Sequence, residues 1–438
     1  RHTVCGWVLT RRDMGGVIFI DLHDREGTLQ VVVDLRHVDE ASFAAAERLK
    51  NQSVLSVEGE VRLRDESTYN PALPTGEIEL AASALTVLST ADTLPFALDT
   101  EEPIREEKRL QYRYLDLRRP KMQETLRFRH MLVRTAQTLL DDDGFIQVET
   151  PVLCKSTPEG ARDYLVPSRV HPGTFYALPQ SPQIYKQLLM VAGFDKYYQV
   201  ARCFRDEDLR ADRQPEFTQL DMERSFVTQE DMLSFLQGYF TTLFTRVMGY
   251  APPRPFLRLT WQTAMDVYGS DKPDLRYALP IVDVSSVAAK GSFSVFSSAL
   301  ASGGVVRAIN VKGGGRAFTR STIDLLTQHA VTLGAKGMAW ALYKDDGEMS
   351  SILPKYFLPE VYAELETALD VQKGDFVLFC ADELTIARRV LGGLRQRCAE
   401  LMELTRKDDY QFALVTDFPM FEWKQDEKRY AAMHHPFT

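Results

Sequence analysis

The chain has 438 residues, of which 45% are hydrophobic and 26% are charged, and its formal net charge is -9. This length exceeds what one hydrophobic core usually supports and predicts about two to four domains. The acidic balance argues against indiscriminate binding to nucleic acid, because such proteins normally present a basic surface to phosphates.

Neither a membrane span nor a leader peptide is predicted. No run of about 18 apolar residues occurs, and the first residues, Arg1-His-Thr-Val-Cys-Gly-Trp, are strand-like and lack the pattern of a signal or transit peptide. The five cysteines are odd in number and lack C-x-x-C spacing, which indicates neither a disulfide framework nor a zinc site. We therefore predict a reducing compartment, the cytoplasm or an organelle matrix, with the cytoplasm preferred.

Residues 1–92 alternate apolar and polar positions between closely spaced turn signals. Strands are predicted at 5–9, 17–22, 29–33, 54–61 and 78–88, and a short helix at about 40–50 lies between the third and fourth. Five strands with a helix in that place are the order expected of an OB-fold barrel. Such barrels commonly bind single-stranded nucleic acid.

Residues 93–115 are polar and interrupted by prolines, which predicts a linker or hinge. Residues 116–270 then mix helices and strands, starting with a helical run at 128–140. Two apolar runs, 197–200 and 217–220, are predicted to form antiparallel strands around a loop dense in charges of both signs. Such a loop cannot lie in the core: its arginines and acids can pair with one another, or they can bind a polyphosphate by planar guanidinium contacts.

Residues 271–405 show no catalytic pattern. The glycine triplet in Val311-Lys-Gly-Gly-Gly-Arg316 lacks P-loop spacing and is interpreted as a turn. A strand is predicted at 375–381. A further strand is predicted at 413–421, within residues 406–438.

Several segments together resemble a known family. The charged loop reads F-R-D-E-D-L-R-A-D-R-Q-P-E-F-T-Q and resembles motif 2 of the class II aminoacyl-tRNA synthetases, in the form of the bacterial aspartyl enzymes. Gly144-Phe-Ile-Gln-Val-Glu-Thr-Pro151 resembles motif 1. Three further segments, beginning at Ser156, Leu178 and Ala431, are similar to aspartyl enzymes in the same order.

The resemblance implies an α+β multidomain fold and an activity. The expected domains are an OB-fold anticodon-binding domain at 1–92, a hinge at 93–115, the class II antiparallel sheet with helices at 116–270 and 406–438, and an α/β insertion of bacterial type at 271–405. The expected reaction joins L-aspartate to tRNA-Asp, and to tRNA-Asn in some members, through an aspartyl-adenylate made from ATP. Homodimerisation through motif 1 and a requirement for Mg²⁺ are also implied.

Residue roles are carried over motif by motif. Arg205 would align the α-phosphate with the attacking carboxylate, and Glu207 would orient the adenosine or hold magnesium, with Asp206 and Gln214 near the nucleotide. The place of Lys186 in Q-S-P-Q-I-Y-K implies that it would bind the substrate β-carboxylate, although a lysine at a helix start is normally just solvated. Lys186 lies three residues after Gln183 at the start of a predicted helix, so both could face one pocket. The remaining aspartate contacts are expected from Glu159, Ser181, Gln183, Asp221, His434 and His435. A metal site at the paired histidines is the less favoured alternative, and no metal ligand is assigned.

The anticodon is expected to contact Arg11, Arg12, Phe19 and Gln30. The residues alone leave two alternatives open, since Phe19 could equally be a core side chain and the paired arginines could be plain surface charge. The sequence stops at Thr438 before any motif 3, the segment that carries the γ-phosphate arginine, so we expect this stretch alone to be inactive, with Arg210 or Arg213 as substitutes if it is not. The alternatives for the whole protein are an asparaginyl or lysyl enzyme, or a non-catalytic RNA-binding paralogue.

Overall fold

A computed structural model describes residues 1–98, 103–157, 159, 161–207, 213–424 and 427–433. The chain divides into two compact units, Arg1–Arg127 and Phe128–Thr438.

The first unit contains a closed barrel with the strand order β1-β2-β3-β5-β4. Its elements are β1 (His2–Asp13), β2 (Val17–His23), β3 (Thr28–Asp34), α1 (Glu40–Glu47), β4 (Val54–Leu63) and β5 (Ile78–Ser89), with a short 3₁₀ helix at Glu66–Thr68. Strand alternation places Ile18, Ile20 and Leu55 in the fully buried interior. The side chain of Asp39 accepts from the backbone N–H of Ser42 and begins α1, which ends at Glu47, three residues earlier than expected from the sequence. The predicted OB fold is confirmed.

The segment after the barrel contains two short helices, α2 (Glu106–Gln111) and α3 (Arg113–Asp116). They are held by Asp116, whose side chain is inaccessible to solvent. Arg109 Nε donates to its Oδ1 at 2.9 Å, and Arg113 donates to its Oδ2 at 2.8 Å. Hydrogen bonding from Arg109 lowers the pKa of Asp116, so the carboxylate stays charged and ties the two helices together.

The second unit is built first around a three-stranded sheet with the order β10-β9-β6. The strands are β6 (Ile146–Gln147), β9 (Lys196–Phe204) and β10 (Glu216–Arg224), and the helices are α4 (Pro120–Asp142), α5 (Gln183–Val191) and α6 (Gln229–Met248). The predicted hairpin is confirmed, since β9 and β10 pair antiparallel along nine residues each. One face of the sheet packs Tyr198, Leu220 and Met222 against α4 and α6, which leaves the other face to α5.

Shorter elements surround this sheet. They are β7 (Leu165–Pro167) paired with β8 (Phe175–Ala177), β11 (Leu257–Thr260) paired in parallel with β17 (Ala413–Thr416), the helix α7 (Trp261–Tyr268), and the hairpin of β18 (Phe421–Lys424) and β19 (Arg429–Ala432).

Between α7 and β17 the chain forms a five-stranded antiparallel sheet with the order β12-β13-β16-β14-β15. Its strands are β12 (Ile281–Asp283), β13 (Val305–Val311), β14 (Ala339–Tyr343), β15 (Met349–Ser351) and β16 (Phe376–Asp382). Its helices are α8 (Ser285–Ala288), α9 (Ser294–Ala301), α10 (Gly314–Ala317), α11 (Arg320–Thr332), α12 (Pro359–Ala368) and α13 (Leu384–Leu401), with a 3₁₀ helix at Leu353–Tyr356. Separate apolar clusters cover its two faces, so this segment has its own core.

The glycine triplet is structural. Gly313 has φ of +72°, a left-handed conformation that glycine adopts without strain, and it begins α10. A Cβ on Gly315 would lie 2.4 Å from the carbonyl oxygen of Tyr343. The predicted turn is found at Lys312 and Gly313, whereas Gly314 and Gly315 form the start of the single-turn helix α10 beside β14.

Candidate active site

The floor of the candidate site is one face of the β9–β10 hairpin. Asp221 lies directly opposite Gln199, and Glu223 opposite Tyr197. Because side chains alternate along a strand, every second residue of β10 shares this face, namely Phe217, Gln219, Asp221 and Glu223. The intervening Leu220 and Met222 face the core, so the strand register separates a polar row, Gln219, Asp221 and Glu223, from these apolar side chains.

Helix α5 covers this polar row. Pro182 precedes its first turn, where the missing N–H costs no hydrogen bond. Gln183 and Lys186 are one turn apart, and both are buried against the sheet, at 9% exposure each. Lys186 Nζ donates to Asp221 Oδ1 at 2.8 Å and lies 3.5 Å from Glu223 Oε2. The structure thus brings together Gln183, Lys186 and Asp221, which the sequence analysis assigned to one pocket.

One of the two carboxylate oxygens of Asp221 accepts no hydrogen bond from the described residues. Its side chain is 9% exposed, and burial raises its pKa, while the hydrogen bond from Lys186 acts in the opposite direction. Oδ1 is taken by Lys186, but Oδ2 is buried and has no hydrogen-bond donor among the described residues. A buried carboxylate oxygen without a donor is costly, so this position favours an added cationic group.

Glu159 is held by two hydroxyls. Ser181 Oγ donates to Glu159 Oε2 at 2.8 Å, and Thr157 Oγ1 donates to Oε1 at 3.0 Å. Burial raises the pKa of the Cys203 thiol to about 11, with smaller influences from Asp221, Arg205, Glu159 and Lys186. Cys203 Sγ donates to Gln219 Oε1 at 3.2 Å, which places this thiol on the pocket face of the hairpin. Cys203 had no role in the sequence-based predictions.

Arg205 is positioned by the end of β9. Its backbone N–H donates to the carbonyl of Pro215 at 2.9 Å, and its guanidinium lies 5.3 Å from the centroid of the Phe217 ring. Its Nε is buried without a hydrogen-bond partner in the described part of the chain, and no ion pair to Arg205 occurs there. An unneutralised guanidinium stacked on an aromatic ring is well suited to a phosphate or carboxylate ligand.

Glu207 pairs with Arg213 instead of Arg205. The Arg213 guanidinium lies 3.4 Å from Glu207 Oε2, with both side chains partly exposed. This is the internal pairing that the sequence allowed for an empty charged loop, although Arg210 lies outside the described residues. Asp206 and Gln214 are exposed, and the backbone of Asp206 is fixed to that of Arg162 at 2.9 Å. His434 and His435 also lie outside the described residues.

A second candidate surface lies on the barrel. Phe19 is half-buried on the outer face, while its neighbours Ile18 and Ile20 fill the interior. Across the strands it faces Arg12 and Val32. The interpretation of Phe19 as a core side chain is therefore not what the structure shows.

Polar side chains extend that outer face. Arg12 donates to Gln30 Oε1 at 3.2 Å, and Gln30 Nε2 donates to Glu79 Oε2 at 2.9 Å. Arg62 donates to the other oxygen of Glu79 at 2.8 Å. Arg11, in contrast, pairs in register with the inward-facing Ile20, so it does not share the face of Phe19.

The described residues provide neither a cluster of metal ligands nor a membrane-spanning helix. They contain no group of three or more His, Cys, Asp or Glu side chains placed to hold a metal ion. No helix in the described ranges is both long and apolar enough to cross a membrane.

Family models match both units of this architecture. The model for tRNA synthetases class II (D, K and N) matches residues 105–438, and that for the OB-fold nucleic acid binding domain matches residues 2–88. The chain belongs to the class II tRNA synthetases. The predicted family and fold class are therefore confirmed.

Curated relatives of this synthetase are similar over nearly its whole length. An aspartate–tRNA(Asp/Asn) ligase of Syntrophomonas wolfei is 52% identical over 433 residues, which cover 99% of the chain and 73% of the relative. A Geobacillus kaustophilus aspartate–tRNA ligase is 50% identical over 438 residues, covering 100% of the chain and 74% of the relative.

Solved structures share the synthetase fold at lower identity. The asparaginyl-tRNA synthetase of Pyrococcus horikoshii, complexed with asparaginyl-adenylate, is 19% identical with a TM-score of 0.52, covering 91% of this chain and 93% of that one. The asparaginyl-tRNA synthetase of Entamoeba histolytica is 15% identical with a TM-score of 0.52, covering 90% of this chain and 93% of that one.

Several residues of this synthetase that lie at the two surfaces were not predicted from the sequence. At the pocket they are Glu223, Tyr197, Gln199 and Cys203, and on the barrel they are Arg62 and Glu79. Glu79 is 49 residues from Gln30 and becomes its neighbour only through the parallel pairing of β3 with β5. The alternation along β10 was the one signal that could have indicated Glu223, two residues after Asp221.

Proposed function

We propose that this chain is an aspartate–tRNA ligase, which activates L-aspartate with ATP and transfers it to tRNA-Asp. The observation that carries the proposal is the pairing of Lys186 with Asp221 beneath α5. A lysine beside a carboxylate with one free oxygen matches a substrate that carries both a carboxylate and an ammonium group. The relatives named as aspartate–tRNA ligases support the same substrate.

The pocket favours aspartate over the alternatives in the same family. An asparagine side chain is neutral and would leave the Lys186 ammonium without an added counter-charge, and a lysine side chain would be repelled by it. The α-ammonium would bind at Asp221 Oδ2, the oxygen that no described donor reaches. Glu159, Ser181 and Gln183 would complete the polar wall around the ammonium.

The chemistry needs charge neutralisation and alignment more than a protein nucleophile. An oxygen of the substrate α-carboxylate attacks the α-phosphorus of ATP, and pyrophosphate leaves. A ribose hydroxyl of the tRNA terminus then attacks the acyl carbon, and AMP leaves. Arg205 would hold the α-phosphate and the carboxylate in line, since a planar guanidinium can contact both anions.

Magnesium would accompany the nucleotide. Mg²⁺ in nucleotide sites is commonly bound by substrate phosphates, water and one or two carboxylates. Glu207, two residues after Arg205, pairs with the exposed Arg213 in the described part of the loop and is a carboxylate that would fit this role. The bound ion would supply further neutralisation of phosphate charge.

The domains have separate functions in this proposal. We infer that residues 1–92 bind the anticodon through the face of Phe19, Gln30 and Glu79, that 93–115 connect the domains, and that 116–270 and 406–438 form the catalytic core around an insertion at 271–405. Overall charge does not attract tRNA, so binding depends on this local surface. One of the two relatives is named as a ligase for tRNA(Asp/Asn), so tRNA-Asn is the second tRNA to test as a substrate.

We also infer a homodimer through motif 1. Apolar side chains are exposed around β6 and on α4: Phe128 at 41%, Met131 at 41%, Ile146 at 48%, Val152 at 45% and Leu153 at 53%. A group of exposed large apolar residues favours an interface. Sedimentation should report a dimer, and Ile146→Asp should shift it towards monomer. A monomeric parent enzyme would contradict this inference.

The deciding experiment is ATP–pyrophosphate exchange by the full-length enzyme with each amino acid in turn, followed by charging of tRNA-Asp and tRNA-Asn. Exchange that depends on aspartate alone is expected. Exchange with asparagine or lysine would identify the other family members, and tRNA binding without any exchange would identify a non-catalytic paralogue.

A further inference from the structure

Buried hydrogen bonds connect Thr150, in the segment that resembles motif 1, to Gln199 and Tyr197 beside the aspartate pocket. Thr150 donates to Gln199 Oε1 twice, from its hydroxyl at 2.9 Å and from its backbone N–H at 3.3 Å. Tyr197, which is inaccessible to solvent, donates its hydroxyl proton to the same oxygen at 3.0 Å. Both Tyr197 and Gln199 lie on the face of β9 that carries the pocket, opposite Glu223 and Asp221.

The orientation of the Gln199 amide follows from these contacts. A backbone N–H can only donate, so the amide atom that faces Thr150 N must be the oxygen. The Tyr197 hydroxyl, which contacts that oxygen, must then be the donor. A phenol has one proton, so Tyr197 cannot donate to Asp221 at the same time.

Asp221 is the competing acceptor for that proton. Its Oδ2 is buried, has no donor among the residues that the structure describes, and lies on the same sheet face as Tyr197. Burial is the main cause of the raised pKa of Tyr197, and the neighbouring Asp221 carboxylate raises it further. The Tyr197 hydroxyl thus lies between two acceptors on one sheet face: it donates to Gln199 Oε1 at 3.0 Å, while the Asp221 carboxylate influences it by charge and hydrogen bonding. Among the described residues, Asp221 Oδ2 has no donor at hydrogen-bond distance.

We propose that Gln199 is a positioning residue for aspartate recognition, which holds the proton of Tyr197 away from Asp221 Oδ2 and keeps that oxygen free for the substrate ammonium. This inference rests on the proposed function. It assigns Gln199 an effect on the aspartate site alone, because nothing in the row of hydrogen bonds reaches Arg205. Without Gln199, the Tyr197 proton turns to Asp221 and competes with the substrate.

The test is a pair of variants measured by aspartate-dependent pyrophosphate exchange in the full-length enzyme. Gln199→Met keeps the side-chain length but removes the acceptor, and it should raise the KM for aspartate by about 10-fold, the scale of a hydrogen bond to a charged group. The KM for ATP should stay unchanged. Adding Tyr197→Phe to Gln199→Met removes the competing proton and should recover most of the loss.

Tyr198→Phe is the matched control. Tyr198 is the next residue on β9, is equally buried, and donates to Asp141 Oδ1 at 2.8 Å on the opposite face. Its loss should lower the melting temperature without changing the KM for aspartate. An unchanged aspartate KM in folded Gln199→Met, or a double variant as impaired as the single one, would overturn the proposal. Absence of aspartate-dependent exchange in the parent enzyme would instead refute the proposed function.

Discussion

Replacing Lys186 by methionine removes the cation of the aspartate pocket while keeping the length of its side chain. In the structure the ammonium lies 2.8 Å from Asp221 and 3.5 Å from Glu223, and the Lys186 and Asp221 side chains are only 11% and 9% exposed. The variant therefore leaves two carboxylates together without their cation. A substrate carboxylate would then meet net negative charge in a poorly solvated pocket.

The expected loss follows from measured charge pairs. At an effective dielectric constant near 20, opposite charges about 4 Å apart attract by roughly 4 kcal/mol. Truncating one partner of a buried charged pair costs about 2 to 5 kcal/mol. This corresponds to a fall of roughly 30-fold to several thousandfold in kcat/KM for aspartate. The affinity for ATP should hardly change.

The assay is pyrophosphate exchange with aspartate and ATP varied in turn. Lys196→Met provides the control, since Lys196 pairs with the partly exposed Asp143 at 3.0 Å, outside the pocket. An exposed pair contributes at most about 1 kcal/mol, so this variant should keep its aspartate kinetics. If folded Lys186→Met retained the parent KM and kcat for aspartate, Lys186 would not belong to the amino-acid site.

Three further predictions concern other parts of the molecule. Phe19→Ala should weaken tRNA aminoacylation by about 1 to 3 kcal/mol through lost base stacking, yet leave pyrophosphate exchange intact; equal damage to both reactions would argue against a role in anticodon binding. Arg205→Lys should slow adenylate formation by about 100-fold or more, because an ammonium cannot contact two anions in one plane, whereas Arg202→Lys, on the opposite face of β9, should act like the parent. Asp116→Asn should lower the free energy of unfolding by about 1 to 3 kcal/mol at neutral pH. The folded pKa of Asp116 lies below its ordinary value of 3.8, so the difference in unfolding free energy between variant and parent should be constant above pH 3.8 and disappear as the pH falls through the folded pKa. Chemical denaturation at several pH values measures this difference. A difference that persists in strong acid would contradict the prediction.

Local patterns in the sequence were sufficient to predict the barrel, the β9–β10 hairpin and the face of α5. Alternation at 17–22 and 29–33 indicated barrel strands, and the charged loop between two apolar runs indicated the β9–β10 hairpin, since both depend on neighbours in the chain. The spacing of Gln183 and Lys186 similarly placed both on one side of α5, because residues three apart in a helix share a face. The segments that resemble motifs 1 and 2 were specific enough to identify the synthetase family from the sequence.

Other features depended on contacts between distant segments. Whether Phe19 faces the core or solvent was open until the closed barrel placed Ile18 and Ile20 inside. Arg11 was assigned with Arg12 because they are adjacent, but adjacent residues of a strand face opposite sides, and the register put Arg11 in line with Ile20. The partner of Glu207 was likewise undecided, and folding of the loop selected Arg213.

The polar row behind the aspartate pocket shows the same limit. Nothing near Tyr197 or Gln199 in the chain indicates that one amide oxygen accepts from both Tyr197 and Thr150. Strand register brings Gln199 opposite Asp221, and the irregular segment after β6 brings Thr150 to it from 49 residues away. Helix and strand periodicity are properties of short segments, whereas hydrogen-bond partners and desolvation depend on which segments pack together, so these features were determined only by the tertiary structure.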